Sequence, residues 1–213
     1  MSVIGTRASR PQAQSETPQS PHKGWYSRGY LPHFDSPGLL QGITFHLADS
    51  LPAHVVAALL EDPELTQDPA KRARVEEYLN AGYGACALRD PRIGSMVEDA
   101  LLYFDGKRYC QIAWVVMPNH VHTLIETFEG YPLFDVVHSW KSYTAKQANQ
   151  ILGRTGQFWY RDYFDRYIRD ERHFWAAVNY IHNNPVKAGL VKGPIDWPFS
   201  SARLWENPET PLS

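Results

Sequence analysis

Two apolar runs meet at a two-residue turn in the middle of the chain: "RYCQIAWVVM" (108–117), Pro118-Asn119, then "HVHTLIET" (120–127). Both runs are rich in β-branched and aromatic side chains, the composition of strands. A turn this short joins antiparallel neighbours, because a parallel crossover needs a dozen or more residues. The chain is therefore committed to an antiparallel sheet built around this pair. Residues i and i+2 of a strand share a face, so His120 and His122 point the same way with Cα atoms roughly 6.7 Å apart. Val121 points to the other face. Two imidazoles so placed suit either hydrogen-bonded packing or a shared metal ion.

The flanking segments supply the rest of the fold. "GITFHLAD" (42–49) alternates Ile43, Phe45 and Leu47 on one side and reads as a strand. Residues 53–81 read as two short helices around the Asp62-Pro63 and Asp68-Pro69 breaks. Asp90 is a natural N-cap with Pro91 in the first turn, and Ile93, Val97, Leu101 and Phe104 recur at helical spacing. A further helix is expected at about 133–151, with Phe134, Val137, Trp140 and Ala145 as its apolar stripe. "QFWYRDYFDRYI" reads as extended, and a capped helix from Asp170 to Asn184 ends at Pro185 and Gly189. Strand, helix, strand, strand, helix, strand and a last helix make an α+β chain. The expected arrangement is a ferredoxin-like antiparallel sheet with helices on one face, plus the C-terminal helix. Residues 24–205 form the expected single domain, led in by the ordered but irregular "GWYSRGYLPHFDSPG" (24–38). Residues 1–23, rich in Ser, Pro and Gln, are expected to be a disordered tail, and 206–213 a C-terminal tail.

Composition excludes several classes. No apolar run approaches a membrane span, and the start lacks a charged-then-apolar signal pattern. Cys86 and Cys110 are far apart with no CxxC partner, which argues against a zinc ribbon or a disulfide framework. These features lead to the expectation of a soluble, cytoplasmic protein. The formal net charge is −2, so nucleic-acid binding is not advertised globally. Locally, 138–172 carries seven Lys and Arg against four acids, interleaved with eight aromatic side chains. That mixture suits single-stranded nucleic acid, with rings for bases and cations for phosphates. It equally suits an aromatic core strand with a solvated charged face. Lys141, Arg166 and Arg169 within it, and Lys187 beyond it, are the candidate contacts.

The last helix brings a second constellation. Tyr180 and Asn184 are i and i+4, one turn apart on one face. An amide oxygen is a hard ligand suited to Mg²⁺ or Mn²⁺, and a tyrosine beside such an ion points to phosphoryl transfer. A phenol is a weak nucleophile near neutrality, its pKa being about 10. A metal ion on the phosphate offsets that weakness, and covalent capture by tyrosine conserves the bond energy for rejoining.

"MPNHVHTL" resembles the HUH signature. "NYIHNNPVKAGLV", with "YFDRYIRDERHF" before it and "DWPFSSA" after it, is similar to the REP-associated tyrosine transposases, relatives of the single-tyrosine transposases of bacterial insertion sequences. "GWYSRGYLPHFD" and "ITFHLADSLP" add to the resemblance, which spans about 24–202. It implies a ferredoxin-like fold and metal-dependent cleavage and rejoining of single-stranded DNA hairpins through a 5′-phosphotyrosine. His120 and His122 would be metal ligands for Mg²⁺ or Mn²⁺, and Tyr180 the nucleophile. Asn184 falls where the third ligand is expected, although relatives more usually place Gln there. Tyr160, Tyr163 and Tyr167 are rival tyrosines assigned to packing or stacking. The expected partner is hairpin-forming single-stranded DNA, with no membrane, bound by a monomer or a homodimer. Two other readings share the same residues: a phosphodiesterase in which water attacks, and a hairpin-binding protein without catalysis.

Overall fold

The computed structural model describes residues 21–27, 32–61 and 69–205. Of the expected tails at 1–23 and 206–213, residues 1–20 and 206–213 lie outside these residues, whereas His22 is bonded to Asp35 and to the Phe128 carbonyl, so the ordered chain begins earlier than expected. At the centre is a four-stranded antiparallel sheet in the order β4-β5-β3-β6. Its strands are β3 (Leu40–His46), β4 (Tyr109–Val116), β5 (His120–Thr127) and β6 (Phe164–Tyr167). With α3 (Pro91–Leu102) between β3 and β4 and α4 (Leu133–Ile151) between β5 and β6, this is the ferredoxin-like order. The Asp90 side chain accepts from the Arg92 amide and Pro91 opens α3, as the sequence indicates.

Both faces of the sheet are covered, which explains why β4 and β5 read as apolar runs rather than alternating ones. Ile43, Phe45, Trp114, Val116, Val121 and Ile125 pack towards α3 and α4 in the larger core. Ala113, Val115 and Leu124 face the other way, against Val178 and Ile181 of α5 (Glu171–Lys187). His120 and His122 belong to this second face. Ahead of α3, α1 (Ala53–Glu61) and α2 (Pro69–Asn80) bring Leu51, Val55, Val75 and Leu79 together with Phe164 of β6. No helix among the described residues is long and apolar enough to cross a membrane.

Two expectations are corrected. The lead-in is not irregular: β1 (Gly24–Ser27) pairs antiparallel with β2 (Pro32–Asp35). The last helix does not stop at Pro185, which lies inside it. Proline removes only one amide from the ladder, and Asn184 and Pro185 are both buried, so packing carries the helix one more turn. Gly189 ends it, at φ 68°, where its amide bonds the Val186 carbonyl.

The segment after α5 fixes that helix to the sheet. The Val116 amide donates to the Phe199 carbonyl, and Trp197 Nε1 donates to the Val116 carbonyl, both at 2.9 Å. Ser201 Oγ meets His182 Nε2 of α5 at 2.8 Å and accepts from the Trp114 amide of β4 at 2.9 Å. The face of α5 bearing Tyr180 is thereby held over its own chain's β5.

Candidate metal and tyrosine site

The turn that joins β4 to β5 also orients the first histidine. Asn119 is buried, and its Nδ2 donates to the Tyr83 carbonyl at 3.0 Å, which turns its Oδ1 towards His120. His120 Nδ1 lies 2.8 Å from that oxygen, an acceptor, so Nδ1 carries the proton and Nε2 is left as a lone pair. His122 Nδ1 is tied to Thr44 Oγ1 on the neighbouring strand at 2.8 Å. The two rings stand edge to face with centroids 4.7 Å apart.

Neither Nε2 has a hydrogen-bond partner among the described residues, although both rings are at most 2% exposed. Burial lowers the pKa of both, with the neighbouring His122 adding to the effect at His120; His122 falls to about 3. Both imidazoles are therefore neutral at ordinary pH, the form that ligates metals. His122 Nε2 is 3.5 Å from Glu76 Oε2, but a neutral ring makes this no ion pair.

Glu76, from α2, is the residue that sequence reasoning missed. Its carboxylate and the two imidazoles place one ligand atom each within 4.8 Å of one another. Glu76 follows Val75 in "RVEEYLN", where it reads as one more exposed acid on a polar helix. Burial of Val75 and Leu79 turns it inwards.

Tyr180 completes the arrangement. Its ring lies 5.1 Å from that of His122, and its hydroxyl donates to Glu76 Oε2 at 2.5 Å. Burial raises the phenol pKa, and the Glu76 carboxylate raises it further. Lys187 Nζ sits 4.9 Å from the centre of the Tyr180 ring. Asn184 is a polar neighbour of both His120 and Tyr180. It is fully buried, yet neither Oδ1 nor Nδ2 makes a hydrogen bond of normal geometry among the described residues. Buried polar atoms are almost always satisfied, so four bare ones at His120, His122 and Asn184 mark a place where a ligand belongs. Two neutral nitrogens, one carboxylate and one amide fit a divalent cation, with the oxygens suiting Mg²⁺ or Mn²⁺ and the imidazoles favouring softer ions such as zinc.

The other expected residues distribute differently. His182 and Asn183, the neighbours that could replace Asn184 as a ligand only if the helix distorted near Pro185, are engaged elsewhere: His182 with Ser201, and Asn183 Nδ2 donating to the Asn179 carbonyl. Tyr163 is buried with its hydroxyl 2.9 Å from that of Tyr26, and Tyr160 stacks on His46. Tyr167 is exposed at the far edge strand. Trp140, Phe158 and Trp159 are core, so most of the aromatic stretch is packing. Lys141 Nζ donates to the carbonyls of Tyr160, Arg161 and Asp162. Its ammonium thereby ties that loop to α4. Arg166 and Arg169 are exposed at the approach to α5.

Residues 96–184 match the family described as Transposase IS200 like, a segment that contains both histidines, Tyr180 and Asn184 but not Glu76. The chain is 36% identical over 107 residues to the REP-associated tyrosine transposase of Escherichia coli K12, covering 50% of this chain and 62% of that one. A Haemophilus influenzae relative is 28% identical over 100 residues, 42% of this chain and 57% of its own length. The matched stretch thus spans less than two thirds of either relative. A solved structure of a REP-associated tyrosine transposase bound to a REP hairpin aligns with a TM-score of 0.53 at 21% identity. It covers 85% of this chain and 93% of that one, and establishes the likeness of fold.

Proposed function

We propose that this chain, similar to the REP-associated tyrosine transposases and matched over 96–184 by the IS200-like transposase family, cleaves and rejoins hairpin-forming single-stranded DNA through a phosphotyrosine at Tyr180. The observation that carries the reading is the convergence of Tyr180 Oη, Glu76 and two bare imidazole nitrogens at one buried point. Glu76, His120 and His122 would hold a divalent ion, Mg²⁺ or Mn²⁺, with Asn184 beside them. Such an ion supplies neutralisation of charge on the scissile phosphate.

The chain's own groups do the rest. Glu76 Oε2 accepts the hydrogen bond of the Tyr180 hydroxyl and is placed to take its proton as Oη attacks phosphorus. The Oη–P bond forms, the bond from phosphorus to the 3′ oxygen breaks, and that oxygen leaves as a 3′ hydroxyl after gaining a proton. The reverse attack by a 3′ hydroxyl returns the proton to Tyr180 and rejoins the strand. Lys187, over the Tyr180 ring, favours the developing phenolate and the incoming phosphate.

The test is incubation with end-labelled hairpin DNA and Mn²⁺, scored for a denaturation-resistant protein–DNA adduct. The wild type forms the adduct, and Tyr180→Phe lowers it by at least about a thousandfold, the loss of a covalent nucleophile. Cleavage that persists undiminished in Tyr180→Phe sinks the tyrosine mechanism in favour of attack by water.

A further inference from the structure

The sheet face that carries His120 and His122 holds a third buried imidazole. His46 is the register partner of His120 across β3 and β5, a pairing that sets Cβ atoms about 5 Å apart on one face. Its ring is 1% exposed and clamped in place. It stacks on Tyr160 at 4.7 Å and 14° and lies near-parallel to Phe164 at 6.1 Å.

The hydrogen bonds determine where its proton sits. Nδ1 lies 3.0 Å from the Leu47 carbonyl and 2.7 Å from Ser50 Oγ, and that hydroxyl donates to the same carbonyl at 2.8 Å. A carbonyl only accepts, so Nδ1 is the protonated nitrogen and Nε2 is a lone pair. That lone pair has no donor among the described residues. A buried acceptor left bare is destabilising. His46 thus repeats the pattern of His120: Nδ1 spent on an acceptor, Nε2 open.

We propose that His46 is a positioning residue of the site, whose Nε2 accepts a hydrogen bond from a water carried by the divalent ion. The inference rests on the metal reading of Glu76, His120 and His122. The set of mutually close ligand atoms does not extend to His46, which puts it outside direct ligation. Mg²⁺ and Mn²⁺ sites with few protein ligands keep several waters, and those waters need acceptors. A rigid neutral imidazole supplies one without adding positive charge beside the ion. Holding that water fixes the orientation of the remaining positions, where the phosphate must enter.

Two substitutions separate this role from simple anchoring of the β3 end. In His46→Asn the amide can still donate to Leu47 as Nδ1 does, but Nε2 is gone. In His46→Gln an amide oxygen reaches the Nε2 position while the inner bond is lost. Mn²⁺ affinity is read by titration calorimetry on the full chain, with melting temperature as the check on folding. His46→Asn is expected to weaken Mn²⁺ roughly 10–100-fold with a near-normal melting temperature without metal, and His46→Gln to recover most of the affinity. Wild-type Mn²⁺ affinity in a folded His46→Asn overturns the proposal. So does a loss in both variants that tracks melting temperature alone. If His46→Asn does not fold, near-wild-type affinity in His46→Gln supports the role and loss there overturns it. His120→Ala is measured alongside. If it binds Mn²⁺ as the wild type does, the metal reading itself fails. If it loses Mn²⁺ while His46→Asn keeps it, only the role of His46 falls.

Discussion

Two sets of buried histidines in this chain are built in opposite ways. At His33, in β2, both nitrogens are spent on carboxylates: Nδ1 on Asp165 at 2.5 Å and Nε2 on Asp162 at 3.1 Å. Burial disfavours its charge, but the two acids outweigh it and raise the pKa to about 9. The result is a structural cation that clamps the β1–β2 pair to β6 and to the residues just before it. At His46, His120 and His122 Nδ1 is tied to an uncharged group and Nε2 has no hydrogen-bond partner among the described residues, the nearest carboxylate being Glu76 at 3.5 Å from His122 Nε2. Burial there is decisive, and the rings are held neutral. The same side chain is a finished interaction in one region and an open valence in the other. What distinguishes them is how many nitrogens the protein itself has committed.

Truncation breaks the comparison most sharply. His33→Ala leaves Asp162 and Asp165 facing each other without their cation, and removal of one partner from a buried pair costs about 3–5 kcal/mol. His122→Ala in metal-free protein removes a bare polar nitrogen along with ring packing, and the two effects offset to within about 1 kcal/mol. Chemical denaturation of the two variants in chelator measures both. Equal losses would mean that the two clusters are energetically alike.

A pH series separates them next. The pKa of His33 is raised from 6.5 to about 9, so its contribution is fully present below pH 6.5 and fades as pH rises through 9, amounting to about 3 kcal/mol. His122 is lowered from 6.5 to about 3, so it penalises the fold as pH falls below 6.5. Metal-free protein should therefore lose stability on both limbs. The alkaline loss between pH 7 and 9 should be absent in His33→Gln. An alkaline limb unchanged by that substitution contradicts the clamp.

The smallest effect is at the shared oxygen. Glu76→Gln keeps an acceptor for Tyr180 but removes the negative charge, and Mn²⁺ affinity should fall about tenfold, near 1.4 kcal/mol. Calorimetric titration reads it. Unchanged affinity would remove Glu76 from the ligand set and leave it as the tyrosine's partner alone.

The sheet and its helices were legible because their signals are local. The two-residue turn fixes the β4–β5 pairing, Asp90-Pro91 starts α3, and Gly189 ends α5. Pro185 misled because a buried helix end tolerates a missing amide that an exposed one would not. The His pair and Tyr180 were legible as residues of the right chemistry at the right spacing. Glu76 and His46 were not. Glu76 enters only through the docking of α2, which rests on Val75 and Leu79 finding Phe164. His46 enters through the register of β3 against β5, and no spacing along the chain encodes that register. The β1–β2 pairing was hidden for the same reason: its glue is Asp162 and Asp165, more than a hundred residues away.

The central claim is that the open nitrogens of His120 and His122 await a divalent ion, and thermal melting with and without Mn²⁺ tests it most directly. At about a hundred times the dissociation constant, binding to the folded state alone adds about 2.7 kcal/mol. The melting temperature of the wild type should rise clearly on adding Mn²⁺, reversed by chelator, with no rise for His120→Ala/His122→Ala. An equal rise in the double variant would place the ion elsewhere and leave His120 and His122 without a role in holding it.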